Sequence, residues 1–158
     1  MAQRVVGDEH PGTLAAISNL ANLHREMGHL EQALALGTEA LAGKRRTRGR
    51  EDPGTLTFIT NLAGVHFSAR NYDQALPLYE EALEVRRRAL GNRHVDTLTS
   101  INGLAATHAE MGELAEAMKL LREAVAGRRR VLGEEHPDTR QAVENLRRAS
   151  EMLEARKT

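Results

Sequence analysis

Gly7, Gly49, Gly91 and Gly133 stand 42 residues apart, and other columns keep that register along the whole chain. Thr13, Thr55, Thr97 and Thr139 follow six places after each glycine, and Leu20, Leu62, Leu104 and Leu146 follow thirteen places after it. Ile17, Ile59, Ile101 and Val143 form another column. So do Ala33, Ala75 and Ala117, and then Ala40, Ala82 and Ala124. Independent columns in one ungapped register mark a true internal repeat. A fixed period of this length belongs to stacked arrays of one supersecondary unit rather than to a single closed core. The 158 residues then read as one array over 1–158, with repeats at about 7–48, 49–90 and 91–132 and a half repeat or capping helix over 133–158.

Within a period the apolar spacing is helical. In the second repeat Leu56, Ile59, Leu62, Ala63 and His66 recur at three- and four-residue steps, as do Ala75, Leu78, Tyr79, Ala82 and Leu83. Gly28 and Gly112 fall between the two stretches, where a helix C-terminus needs a positive φ, and Arg70-Asn71 takes that place in the second repeat. The period ends at Gly-x-x-His-Pro-x-Thr, complete at Gly7 and Gly133 and with one substitution at Gly49 and Gly91; Gly ends one helix and Pro opens the next. Asp52 before Pro53 suits an N-cap, Asp138 favours the positive helix end, and Val95 in the proline position specifies its helix start less sharply. The pattern predicts an all-α fold of about seven helices, at 11–27, 30–47, 53–69, 72–90, 95–111, 114–132 and 137–156. One antiparallel pair cannot bury both of its apolar faces, so neighbouring pairs must stack into a solenoid.

Composition narrows the function classes. There are 22 basic and 22 acidic residues, so nucleic acid and anionic membrane are not expected as partners of the whole surface. No uncharged apolar run reaches the length of a transmembrane helix, and the first residues lack a secretory leader. Cysteine is absent, which excludes disulfides, Cys-ligated zinc, iron–sulfur clusters and a thiol nucleophile. A soluble, cytoplasmic, helix-rich protein is expected.

These columns resemble the tetratricopeptide repeat. Ile17/Ile59/Ile101, Leu20/Leu62/Leu104, Ala21/Ala63/Ala105 and His24/His66/His108 fall where that family places large, Leu, small and aromatic residues on its first helix. Ala33/Ala75/Ala117, Gly37/Tyr79/Leu121 and Ala40/Ala82/Ala124 match its second helix. The 42-residue period, with Leu-Gly-x-x-His-Pro-x-Thr-Leu and Asn-Leu-Ala, is similar to the subfamily found in kinesin light chains and many bacterial proteins. The resemblance implies a right-handed superhelical solenoid that binds a protein or peptide segment in a concave groove, with no catalytic residues and no cofactor. Departures are His in the aromatic column, Gly37 where a large residue is usual, and Arg147 in a normally small position.

By the matched register the groove face carries Ser18, Asn19, Asn22 and Arg25 from the first repeat. The second gives Thr57, Thr60, Asn61, Gly64, Phe67 and Ser68, and the third gives Thr99, Asn102, Ala106, Ala109 and Glu110. An Asn amide both donates and accepts, so Asn19 and Asn61 suit the backbone of an extended segment, with Phe67 as an aromatic anchor. The alternative is that these amides bond neighbouring helices. Some relatives clamp a terminal carboxylate with cations one turn before the Asn. Ala15 and Thr57 occupy those places here, and Arg25 alone makes a poor case for an acidic ligand.

His24, His66 and His108 lie on successive helices about 10 Å apart, too far apart to share one zinc, and they are expected to pack as aromatics; no metal is assigned. His10, His94 and His136 recur with the motif and are given no chemistry. The runs Lys44-Arg45-Arg46, Arg86-Arg87-Arg88 and Arg128-Arg129-Arg130, with Arg48 and Arg50, hold 11 of the 22 basic residues. Stacking would line them along one edge, where they could meet phosphates or simply complement helix C-termini. Arg4-Val5-Val6-Gly7 aligns with Arg88-Ala89-Leu90-Gly91, as though the chain opened on the tail of a preceding second helix. It then reads as part of a longer array, or as a structural segment that self-associates through its exposed first helix pair. Binding of a protein or peptide by a non-enzymatic module is the leading expectation.

Overall fold

The computed structural model describes residues 10–157, so the expected helix tail at Arg4 to Gly7 lies outside the described residues. The described residues form seven helices and no strand. They are α1 (Pro11–Glu26), α2 (Leu30–Arg48), α3 (Pro53–Ser68), α4 (Tyr72–Leu90), α5 (Val95–Glu110), α6 (Leu114–Leu132) and α7 (Pro137–Ala155). Every boundary falls within one residue of the expected one. The chain gathers into two compact units that divide within α4, one running to Leu78 and the other from Tyr79. In the first, α1 packs on α2, α2 on α3 and α1 on α3; in the second, α5 packs on α6 and α6 on α7.

The starts of α1, α3, α5 and α7 share one capping column. Asp52 accepts from the Thr55 N–H at 3.2 Å. The equivalent residues are His10, His94 and His136, whose Nδ1 atoms accept from the N–H two residues on, at 3.1, 3.2 and 3.1 Å. A neutral imidazole protonated on Nε2 leaves Nδ1 as an acceptor, so it satisfies one of the four orphan donors of a helix N-terminus. The recurring loop histidines therefore have a structural task that their recurrence alone did not disclose. His94 also explains why α5 starts in register without a proline.

The first helices of the pairs end on Gly28, Arg70 and Gly112, with φ of 79°, 60° and 84°. Glycine adopts this left-handed conformation freely, whereas Arg70 bears about 1–2 kcal/mol of steric cost.

Packing rests on small residues. Ala33, Ala40, Ala75, Ala82, Ala117 and Ala124 are wholly buried, as are Ile59 and Ile101. Gly43 and Gly127 form holes: a Cβ there would stand 2.6 Å from Leu14 Cδ2 and 2.5 Å from Leu98 Cδ2. Thr55, Thr97 and Thr139 are fully buried with unbonded hydroxyls, so that column acts by shape. On α7, Arg147 lies on the exposed side and pairs with Glu144 and Glu151, while Arg156 Nη1 donates to the Gly112 carbonyl at 2.7 Å. Hydrogen bonds from Arg147 and then Arg148 hold the Glu144 carboxyl down to about 2. These exposed ion pairs give α7 a polar outer side, as suits a capping helix.

His66 packs half-buried on α3 with its Nδ1 unpartnered, and burial holds its pKa below the ordinary 6.5.

Two outcomes follow from these local arrangements. Replacing the cap by His136→Ala should cost about 1 kcal/mol in urea unfolding, while His136→Asp should retain wild-type stability. Equal stability of all three proteins would count against the cap. The unfolded chain takes up a proton at His66 near pH 6.5 that the folded chain resists. Stability from this group is therefore complete above that pH and declines as pH falls below it. His66→Phe should flatten the decline between about pH 7 and pH 5 relative to wild type.

Candidate peptide-binding surface

The residues expected along a groove lie on the first helices of the pairs, and hydrogen bonding tells them apart. Asn19 is exposed on α1 and bonds to no described residue, with Asn22 and Arg25 half-buried beside it. Asn61 on α3 is half-buried and its Nδ2 donates to Ser18 Oγ on α1 at 3.2 Å. In the second unit Asn145 Nδ2 on α7 donates to Asn102 Oδ1 on α5 at 3.3 Å, and Gln141 Nε2 donates to Asn145 Oδ1 at 2.9 Å. Each inter-repeat bond joins residues 43 apart, so an amide in one repeat reaches one place short of its own equivalent in the repeat before. Asn61 and Asn102 thus spend part of their capacity stapling neighbouring helices, which leaves Asn61 one N–H and its carbonyl oxygen.

Gly103 holds the equivalent place in the third repeat. The Tyr79 ring fills it, since a Cβ on Gly103 would stand 2.5 Å from Tyr79 Cε1. Glycine is needed here for close approach rather than for backbone freedom.

Thr57 is exposed and Thr60 half-buried on α3. Their hydroxyls donate back to Pro53 O at 3.3 Å and to Leu56 O at 3.1 Å. Phe67 is half-buried and meets the Tyr72 ring edge-on, with centroids 5.5 Å apart. It is braced by a neighbour and does not project alone.

A hollow of about 180 Å³ opens between α5 and α7. Its floor is Ala105, Ala106, Ala109 and Ala149 with Leu121 beneath, and Glu110, Asn145, Arg148 and Met152 form the rim. The register explains its position. Ala106 and Ala109 correspond to Asn22 and Arg25 in the first repeat and to Gly64 and Phe67 in the second. Only the third repeat has alanine at both places. Sequence reasoning placed Ala106, Ala109 and Glu110 on this face. It does not place Asn145, Arg148, Ala149 and Met152 there, because 133–158 gives only a half repeat or capping helix in sequence. Those residues are one period beyond Gly103, Ala106, Thr107 and Glu110 of α5, which was the available signal.

In the second and third basic runs one arginine each turns inward and leaves the exposed surface, which the spacing along the chain did not indicate. Arg86 and Arg128 are only 6% and 7% exposed. Arg86 Nη1 donates to Ser100 Oγ at 2.6 Å and Asp96 O at 3.2 Å, and Arg128 Nη1 donates to Asp138 O at 2.9 Å. Burial lowers both pKa values, opposed by the nearby Asp96 and Asp138 carboxylates. Lys44, in the same column, places its ammonium 5.5 Å from the Phe58 ring centre. Arg87 Nη2 is held by both Glu123 oxygens at 2.6 and 2.8 Å, and Arg129 pairs with Glu134.

No described helix is long and apolar enough to cross a membrane, and no described group of three or more metal-ligating side chains clusters.

Comparison with known proteins agrees with the repeat. The kinesin-light-chain-like, nearly identical TPR-like repeats of Podosopora anserina are 26% identical. That likeness covers 99% of this chain and 77% of theirs, at a TM-score of 0.79. BtubC (BKLC) from P. vanneervenii is 24% identical at a TM-score of 0.81, over 89% of this chain and 56% of that one, a likeness of fold. The N-terminal domain of stress-induced protein-1 from C. elegans shares the fold at 16% identity and a TM-score of 0.60, over 88% of this chain and 95% of that one. No curated protein sequence matches the chain. The tetratricopeptide repeat family matches residues 1–46 and 54–130, and the chain belongs to that family.

Proposed function

We propose that the chain is a non-catalytic module that binds an extended segment of a protein partner on the inner faces of its first helices. The observation that carries this reading is the alanine-floored hollow of about 180 Å³, with Asn145 at its rim. A hollow of that size takes one aliphatic side chain, and an adjacent amide can hold the backbone that carries it. In the first unit Asn19 and the unspent groups of Asn61 supply the same backbone contacts, and Asn22, Arg25, Thr57, Thr60 and Phe67 shape the surface around them, as Asn102 does in the second. Recognition is by rigid display, since helices packed on small residues lose little freedom when a segment binds.

A second reading is favoured by α1. Leu20 and Leu23 are 44% and 51% exposed, and Met27 is 58% exposed. Leu62 and Val65, the equivalents of the two leucines in the second repeat, are 6% and 1% exposed. There α2 runs directly over Leu62, as a Cβ on Gly37 would stand 3.0 Å from Leu62 Cδ1. A second copy laid on α1 would bury the same stripe.

Peptides selected from a random display library on the purified chain should lose about tenfold or more in affinity to Ala109→Phe, measured by fluorescence anisotropy, and less to Asn61→Ala. Selected peptides that bind both variants as tightly as wild type would place their site elsewhere. For the second reading, light scattering should show mass rising with concentration, and Leu23→Glu should abolish the rise. A wild-type chain that stays monomeric at high concentration would end that reading.

A further inference from the structure

At the turn between α1 and α2 the Nδ1 atoms of His24 and His29 stand 3.4 Å apart. The rings are tilted by 45° with centroids 5.5 Å apart, so they meet by nitrogen edges rather than by stacked faces. The turn that holds them recurs along the chain. His29 N–H donates to His24 O at 2.8 Å, Asn71 N–H to His66 O at 2.9 Å, and Glu113 N–H to His108 O at 2.8 Å. The same backbone bond therefore closes the turn in all three repeats, and in the first and third the two side chains also meet.

What differs is the chemistry of the second residue. In the third repeat it is Glu113, whose carboxylate accepts from His108 Nδ1 at 2.5 Å, a pair that satisfies itself. In the second it is Asn71, and His66 Nδ1 is left unpartnered. In the first it is His29, so two imidazoles share a long Nδ1–Nδ1 hydrogen bond, one donating and the other accepting, with no anion between them. His29 precedes α2 yet makes no side-chain cap bond, so its ring is not committed to the helix start.

We propose that His24 and His29 form a two-histidine site for a borderline divalent transition-metal ion of the zinc class. Two nitrogens each about 2.0–2.1 Å from a tetrahedral zinc stand about 3.3–3.4 Å apart, which is the separation the turn imposes. Imidazole selects zinc, nickel or copper over magnesium and calcium, which prefer oxygen. No third described His, Cys, Asp or Glu joins the pair, so water fills the remaining positions and the ion stays exchangeable. Once one imidazole binds, the second is delivered at high effective concentration by the fixed turn. The bound ion ties the end of α1 to the start of α2 in the repeat that exposes Leu20, Leu23 and Met27.

Calorimetric titration of the tag-free chain with zinc chloride tests the site. One ion should bind per chain, with affinity reduced about tenfold or more in His29→Ala and in His24→Ala and unchanged in His94→Ala; magnesium chloride should give no binding. Zinc should also raise the melting temperature of wild type but not of His29→Ala, with circular dichroism confirming that each variant is helical. His29→Gln, which keeps a polar side chain at an exposed place, replaces the alanine variant if that one fails to fold. Absence of zinc binding, binding that survives His29→Gln, or an equal loss in His94→Ala would overturn the site.

Discussion

Every close contact in the two units depends on how near two helices can come, and buried alanine sets that distance. Interaxial separation follows the side chains at the crossing. With Ala33 and Ala40 on α2, and Ala117 and Ala124 on α6, all at zero exposure, the crossings are tight. Tight crossings let Leu14 enter the hole at Gly43, and Leu98 the hole at Gly127. They also bring successive first helices close enough for Asn61 to reach Ser18, and Asn145 to reach Asn102. The first helices of each unit are thus held from behind by packing and from the side by amide bonds.

Against so regular a frame, departures from the repeat are where individuality enters. Gly103 interrupts the Asn column, and Tyr79 takes the vacated volume, a large-for-small exchange across one contact. Ala106 and Ala109 stand where the first repeat has Asn22 and Arg25, and they leave a hollow. The junction pair changes from His29 to Asn71 to Glu113 while its backbone stays the same. Function is sought at these places because the repeated residues are already occupied by holding the array together.

The helices were legible in the sequence because their signals are local. Period, glycine and proline specify each boundary within one chain segment, and the Gly28, Gly112 and Asp52 assignments hold for that reason. The histidine caps were missed, although Asp52 in the same column announced the role, because an imidazole is not among the usual capping side chains. Register assigns residues to the first helices of the pairs, yet whether an amide there is free or spent depends on a partner 43 residues away. The hollow needed both α5 and α7 in position, and spacing along either helix alone does not reveal it.

The basic runs show the same limit and its physical cause. A charged side chain near a helix C-terminus looks, along the chain, like one that complements the dipole. The direction it takes is decided by the following helix. Arg86 and Arg128 turn inward because the backbone carbonyls of Asp96 and Asp138 lie within reach, ten residues on. A buried cation is tolerated only when bonded, and the two buried arginines and the half-buried Lys44 of this column each find a different partner. Arg86 uses a carbonyl and the Ser100 hydroxyl. Arg128 has Ala142 at the place of that serine and uses the carbonyl. Lys44 rests its charge on the Phe58 ring, in that same position. Half of the chain's positive charge is banded in these runs, and the inward arginines divert part of it into joining one repeat to the next.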